Sequence, residues 1–108
     1  MFFYIGGAII NSNRITRIYV AEDNDSWLGK RSKPTYQVRL ETSDGLTFNE
    51  WDGQTAPRFR HIAVTHAKEG AEWSVTCFEL VKAMFTAMGG TENFDVEEWL
   101  KEKEKCLN

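Results

Sequence analysis

TCFELVKAMFTAMGG, residues 76–90, carries the most definite structural signal in the chain. Thr76 and Glu79 have the spacing of an N-terminal capping box, in which the hydroxyl takes one orphan backbone N–H and the carboxylate reaches back to another. Val75 and Leu80 occupy the two positions of a hydrophobic staple, and Gly89 can supply a left-handed residue to end the helix. At about 100° per residue, Cys77, Phe78, Leu80, Val81, Met84, Phe85, Ala87 and Met88 fall on one half of the wheel, with Glu79, Lys82, Ala83 and Thr86 on the other. The spacing predicts an amphipathic helix over 76–89 whose apolar half, Phe78 and Phe85 included, covers a sheet.

Towards the N-terminus the pattern changes to short apolar runs and alternation. Residues 2–5 and 8–10 flank Gly6-Gly7, a two-residue loop suited to the positive φ values of a tight hairpin. Asn11-Ser12-Asn13 is turn chemistry, and residues 15–22 read as a strand with Ile18 and Val20 on one face. Residues 35–42 alternate cleanly, with Tyr36, Val38 and Leu40 on one face and Gln37, Arg39 and Glu41 on the other; Asp44-Gly45 then predicts a hairpin into residues 46–51. Between these strands, DNDSWLGKRSKP, residues 23–34, reads as a long loop, and loops of that length are often functional.

Residues 53–70 read two ways. As a helix, Thr55 would cap it and Gly70 would end it. As a strand, residues 61–66 would pair with residues 71–75, and Ile62, Val64 and Thr65 favour that reading. Past the central helix, Asp95 and Glu98 repeat the capping-box spacing and Phe94 and Trp99 the staple, which predicts a short terminal helix over 95–106 docked by its Trp. Strands first and helices last give one α+β domain over residues 1–108: an antiparallel sheet of hairpins, about five or six strands, packed on the 76–89 helix, with the terminal helix beside it.

Composition bounds the function. At 42% apolar residues with four Trp, three Tyr and seven Phe, the chain is globular. No apolar run approaches the roughly 20 residues of a membrane span, and MFFYIGGAII lacks the basic start of a signal peptide. Cys77 and Cys106 are the only cysteines, far apart and outside any CxxC, the usage of a reducing cytoplasm; Cys77 lies on the apolar face as a small buried hydrophobe. Residues 1–70 hold nine Lys and Arg against eight Asp and Glu, while residues 71–108 hold four against eight, so the net charge of −3 belongs to the C-terminal third. An acidic balance disfavours general duplex binding, where neutralised phosphates supply most of the affinity.

No motif carries catalysis, a cofactor or a metal. His61 and His66 are five apart, a spacing that faces them in different directions on either a strand or a helix. Glu22, Asp23 and Asp25 resemble the start of a calcium loop, but Trp27 stands where a ligand belongs and no glutamate closes it. None of the five serines lies in a nucleophile elbow. The surface signals are more informative. Trp27 and Leu28, followed by Lys30, Arg31 and Lys33, combine an aromatic anchor with cations, and Arg58 and Arg60 extend the set if they share its face. Such a mix suits a protein interface and also stacking on a single-stranded nucleic acid; alternatively Trp27 folds back on the sheet and the basic residues solvate the loop.

Over residues 9–48, IINSNRITRI followed by YQVRLETSDG resembles the LytTR-type β domains, in which an I-N-x-x-x-I strand precedes an alternating strand ending in D-G. That resemblance implies a DNA-binding module. In size, acidity and lack of motifs the chain also resembles the accessory proteins of phages and prophages, anti-CRISPR inhibitors among them. The resulting expectation is a non-enzymatic protein-binding module of the phage inhibitor or adaptor type, cytoplasmic and off the membrane. Nucleic-acid or nucleotide binding through the basic loop and a small enzyme are the alternatives. Homodimerisation through unpaired strand edges is a further option.

Overall fold

The computed structural model describes the backbone of residues 1–26 and 29–107, and the side chains of these except 25, 26, 29–32, 44–49, 57, 106 and 107. In chain order the elements are β1 (Phe2–Ile5), β2 (Ala8–Asn11), a 3-10 turn (Ser12–Arg14), β3 (Ile15–Ser26), β4 (Gly29–Asn49), β5 (Gln54–Ala63), β6 (Lys68–Glu69), α1 (Ala71–Met88), β7 (Phe94–Asp95) and α2 (Val96–Leu107). The α+β class expected from the sequence is what the chain adopts. β1, β2 and β7 form a small sheet in the order β2-β1-β7; β3, β4 and β5 form the main sheet with β4 in the centre, and β6 pairs the start of β4's middle segment at Thr35 and Tyr36.

Local chemistry accounts for the small sheet. Gly6 and Gly7 hold φ of 53° and 81°, a conformation that glycine adopts without steric cost, so Ile5 pairs Ala8 across the predicted two-residue turn. β7 joins β1 in parallel, and Phe94 meets Phe3 edge-to-face with ring centroids 5.8 Å apart. The Asp95 carboxylate accepts the Glu98 N–H at 3.1 Å, the predicted cap of α2.

The main sheet departs from the expected loops. Residues 23–34 are largely strand: β3 and β4 continue pairing to Ser26 and Gly29, so the long loop is replaced by a hairpin arm, and Trp27 and Leu28 lie outside the described residues. Asp44-Gly45 does not turn the chain. It falls where the β4–β5 register shifts between Ser43 and Leu46, a bulge, and the turn comes later, over residues 50–53, with Gly53 at φ 70°. The same dipeptide chemistry serves a turn or a bulge, so the local signal does not separate them. The strand expected over residues 61–66 lies earlier, as β5 over Gln54–Ala63; it shares only residues 61–63 with the expected span and pairs with β4, not with residues 71–75. Two arms running past the helix-covered centre stretch the molecule to 56 × 44 × 21 Å; its radius of gyration is 16.3 Å, against about 13 Å for a compact chain of this length.

α1 starts five residues before the predicted capping box, at Ala71 after Gly70, which stands at φ 109°. Thr76 is therefore inside the helix, and its hydroxyl donates to the Glu72 carbonyl at 3.0 Å. Tertiary contact carries the early start: the Trp73 indole N–H donates to the Tyr36 carbonyl at 2.7 Å, and the Lys68 ammonium lies 4.7 Å over its ring. The helix ends at Gly89 in the right-handed region, φ −79° and ψ −9°, and not in the expected left-handed cap. Cys77, Leu80 and Met84 are fully buried against Val38 and Leu40 of β4 and Phe3 and Ile5 of β1 in one core that also takes in Val96. Phe78 and Phe85, expected in that core, are exposed.

Candidate functional site

α1 lies over β3 and β4, and this width decides which of its apolar residues are covered. The spacing of Cys77, Leu80 and Met84 puts them on one narrow face, all at 0% exposure. Two strands cannot also cover the rest of an apolar half-cylinder. Val75, Phe78 and Phe85 remain 57%, 56% and 74% exposed. Phe78 and Phe85 are seven residues apart and nearly in line along the helix, with Val75 one turn before them and the exposed Lys82 between them.

The other flank of α1 faces α2. Glu79 is 2.5 Å from the Lys103 ammonium of α2, and Thr76 lines a cleft shared with α2. That side belongs to β5 and β6, because β3 already occupies the opposite side of Tyr36 through the Glu22 pair and β6 must join from the β5 side. Phe78 and Phe85, across the buried face from Thr76 and Glu79, thus stand above β3.

β3 is the outermost strand of its sheet among the described residues. Its pairing with β4 shifts register between Ile15 and Arg17 and again between Asp23 and Asp25, which leaves a regular stretch over residues 17–23. Ile18 and Val20 face α1 opposite Leu40 and Val38, as the alternation predicts; Arg17 and Tyr19 face the open side. There the Arg17 guanidinium sits 4.1 Å over the Tyr19 ring and 3.7 Å from Glu41, and His61 Nδ1 approaches the same carboxylate at 3.5 Å. The open face is therefore a polar surface neutralised from within.

The residues singled out in the sequence do not form one patch. Trp27 and Leu28 lie outside the described residues, as do the side chains of Lys30 and Arg31, whose backbones belong to the first arm, with Lys30 opposite Asp25. Lys33 is exposed near that arm; Arg58 and Arg60 are exposed on β5 at the other, with Arg60 opposite Thr42. Lys33 and Thr42 are nine residues apart on β4, about 30 Å of strand. Trp51 is 98% exposed in the turn between β4 and β5, whereas Trp73 and Trp99 are partly buried against the core.

A cleft of about 580 Å³ opens between the start of α1, the end of β5 and α2. Val64, Trp73 and Leu100 supply its apolar lining, and Lys68, Lys101 and Glu97 bring both charges to it. His66 lies at this cleft and His61 on the sheet's open face, so the two histidines do not act together. Among the described residues no three His, Cys, Asp or Glu side chains converge as metal ligands would, and no helix is long and apolar enough to cross a membrane. Burial pushes the Cys77 thiol up to about 11, only partly opposed by the charge of Lys68, so it remains protonated at neutral pH.

The surface that sequence reasoning missed is the α1 flank with the β3 edge below it. A signal for it was present: eight apolar residues on one helix are more than a two-strand contact can bury. Searches of protein-family models, curated proteins and solved structures find no match to this chain.

Proposed function

We propose that this chain is a non-enzymatic protein-binding module and that it docks through the outer flank of α1. The observation that carries the reading is the exposure of Phe78 and Phe85 on the helix whose opposite face builds the core. Isolated apolar side chains on a surface are ordinary; two exposed phenylalanines nearly in line on one helix, with Val75 one turn before them, form a cluster of the kind that marks an interaction site, with Lys82 beside it. The nucleic-acid alternative needs the basic side chains to act together, and the two arms hold them about 30 Å apart along β4. A phage-type inhibitor or adaptor working in a reducing cytoplasm is the setting we propose; it rests on likeness of size, acidity and cysteine usage alone.

The test is differential capture. The wild-type chain and a Phe78→Asp/Phe85→Asp variant of matched thermal stability are immobilised and exposed to the same host lysate. The reading predicts at least one protein, or the chain itself, enriched on the wild type and lost on the variant. Identical captured sets on both would overturn it.

A further inference from the structure

We infer that the occupant of this surface is a second copy of the chain: two β3 strands pair antiparallel about a two-fold axis at Val20, and the two α1 flanks meet above them. This deepens the reading of the α1 flank as a docking surface and rests on it. The regular stretch of β3 over residues 17–23 is centred on Val20, and its charges are segregated, with Arg17 at one end and Glu22 and Asp23 at the other. Antiparallel self-pairing about Val20 brings the second copy's Asp23 across from Arg17, which also contacts Glu41 of its own copy, at both ends of the ladder, and sets Ile18 opposite Glu22, Tyr19 opposite Ala21, and Val20 opposite itself. The other outer strand lacks this property. β5 carries Arg58 and Arg60, and self-pairing about Phe59 would set arginine against arginine.

The register also fixes where the helices go. Pairing Val20 with Val20 keeps the Ile18 and Val20 face of both copies on one side of a continuous six-stranded sheet, so both α1 helices stand on the same side. With strands about 4.8 Å apart and α1 lying over β3 and β4, the two helix axes come about 10 Å apart, the upper end of the spacing at which helices pack. For α1 laid along β4, Phe78 falls beside the axis. Trp73 anchors α1 at Tyr36, Val38 opposite Val20 is about 7 Å further along β4, and the five residues from Trp73 to Phe78 rise about 7.5 Å. The contact has adequate size: a strand stretch of about 23 Å across a molecule 21 Å thick gives about 1,000 Å² over both copies even as flat surface, the threshold for a specific interface.

Light scattering and sedimentation velocity on the full chain test this, because the chain's 12.4 kDa mass separates one copy from two. The wild type is expected at twice that mass. Phe78→Asp, on an exposed site, is expected to keep its circular dichroism and melting profile while weakening self-association at least about 30-fold. Arg17→Asp and Asp23→Arg should each weaken it, and the double swap should restore it. A wild-type mass of 12.4 kDa at all concentrations up to about 1 mM would overturn the inference; capture of a different protein that still depends on Phe78 and Phe85 would then leave the docking surface standing with another occupant. A dimer indifferent to Phe78→Asp would overturn the inference, and the docking reading would then stand or fall on the capture experiment alone. A dimer lost with Phe78→Asp but not recovered by the double swap would overturn the β3 pairing.

Discussion

Leu80 and Phe85 lie five residues apart on the same helix, and truncating them should cause stability losses of very different size. Leu80 is fully buried among Val38, Leu40 and Met84, so Leu80→Ala removes its transfer energy and leaves a cavity that a close-packed core fills only in part, costing about 3–4 kcal/mol. Phe85 is 74% exposed and retains about a quarter of a buried phenylalanine's 1.5–3 kcal/mol, so Phe85→Ala should cost about 0.4–0.8 kcal/mol. Urea unfolding followed by far-ultraviolet circular dichroism measures both, at protein concentrations low enough that self-association adds nothing. For a domain of this size Leu80→Ala should lower the melting temperature by on the order of 15 °C and Phe85→Ala by a few degrees at most. Raising the protein concentration should widen the loss for Phe85→Ala only, since an interface formed by the folded state stabilises it by mass action. Equal losses of about 3 kcal/mol at both positions in dilute protein would place Phe85 in the core and refute the assignment of its flank to the surface.

Other substitutions probe the contacts that position these elements. Trp73→Phe removes the indole N–H donated to Tyr36 and weakens the Lys68 contact, so chemical denaturation should report a loss of about 1–2 kcal/mol. Asp95→Ala removes the cap of α2 and should cost about 1 kcal/mol, with reduced helicity but no change in sheet signal. The Cys77 thiol holds its proton up to about 11 in the folded state against 9.0 ordinarily, so the folded state binds more protons between those values and stability falls as pH rises through them. The loss reaches up to roughly 2–3 kcal/mol, and Cys77→Ala should flatten that alkaline limb in denaturation titrations across it.

The fold was readable wherever a local signal had one physical meaning. Gly6-Gly7 between two apolar runs admits little but a tight hairpin, the alternation through Tyr36, Val38 and Leu40 names its buried face, and Asp95 caps the helix it precedes. Signals with two meanings misled. Thr76 and Glu79 have capping-box spacing, yet the hydroxyl is equally satisfied by the Glu72 carbonyl once Trp73 docks and draws the helix back to Ala71. Asp44-Gly45 suits a turn or a bulge, and only the pairing of β4 with β5 on both sides of it decides. The docking surface was legible in composition but not in position. Phe78 and Phe85 are apolar in any reading of the helix; their exposure follows from the two-strand contact of α1 on the far side from α2, a fact of tertiary arrangement that no periodicity encodes.

Amide hydrogen exchange along β3 as a function of protein concentration tests the central claim, that the α1 flank and the β3 edge form one docking surface filled by a second copy. Backbone N–H groups on the outer edge of a free strand exchange with water, and pairing protects them. Protection in residues 17–23 is predicted to rise with concentration in the wild type and to stay low in Phe78→Asp, although Phe78 is on a different element. Exchange in β3 that is independent of concentration and identical in the two proteins would contradict it.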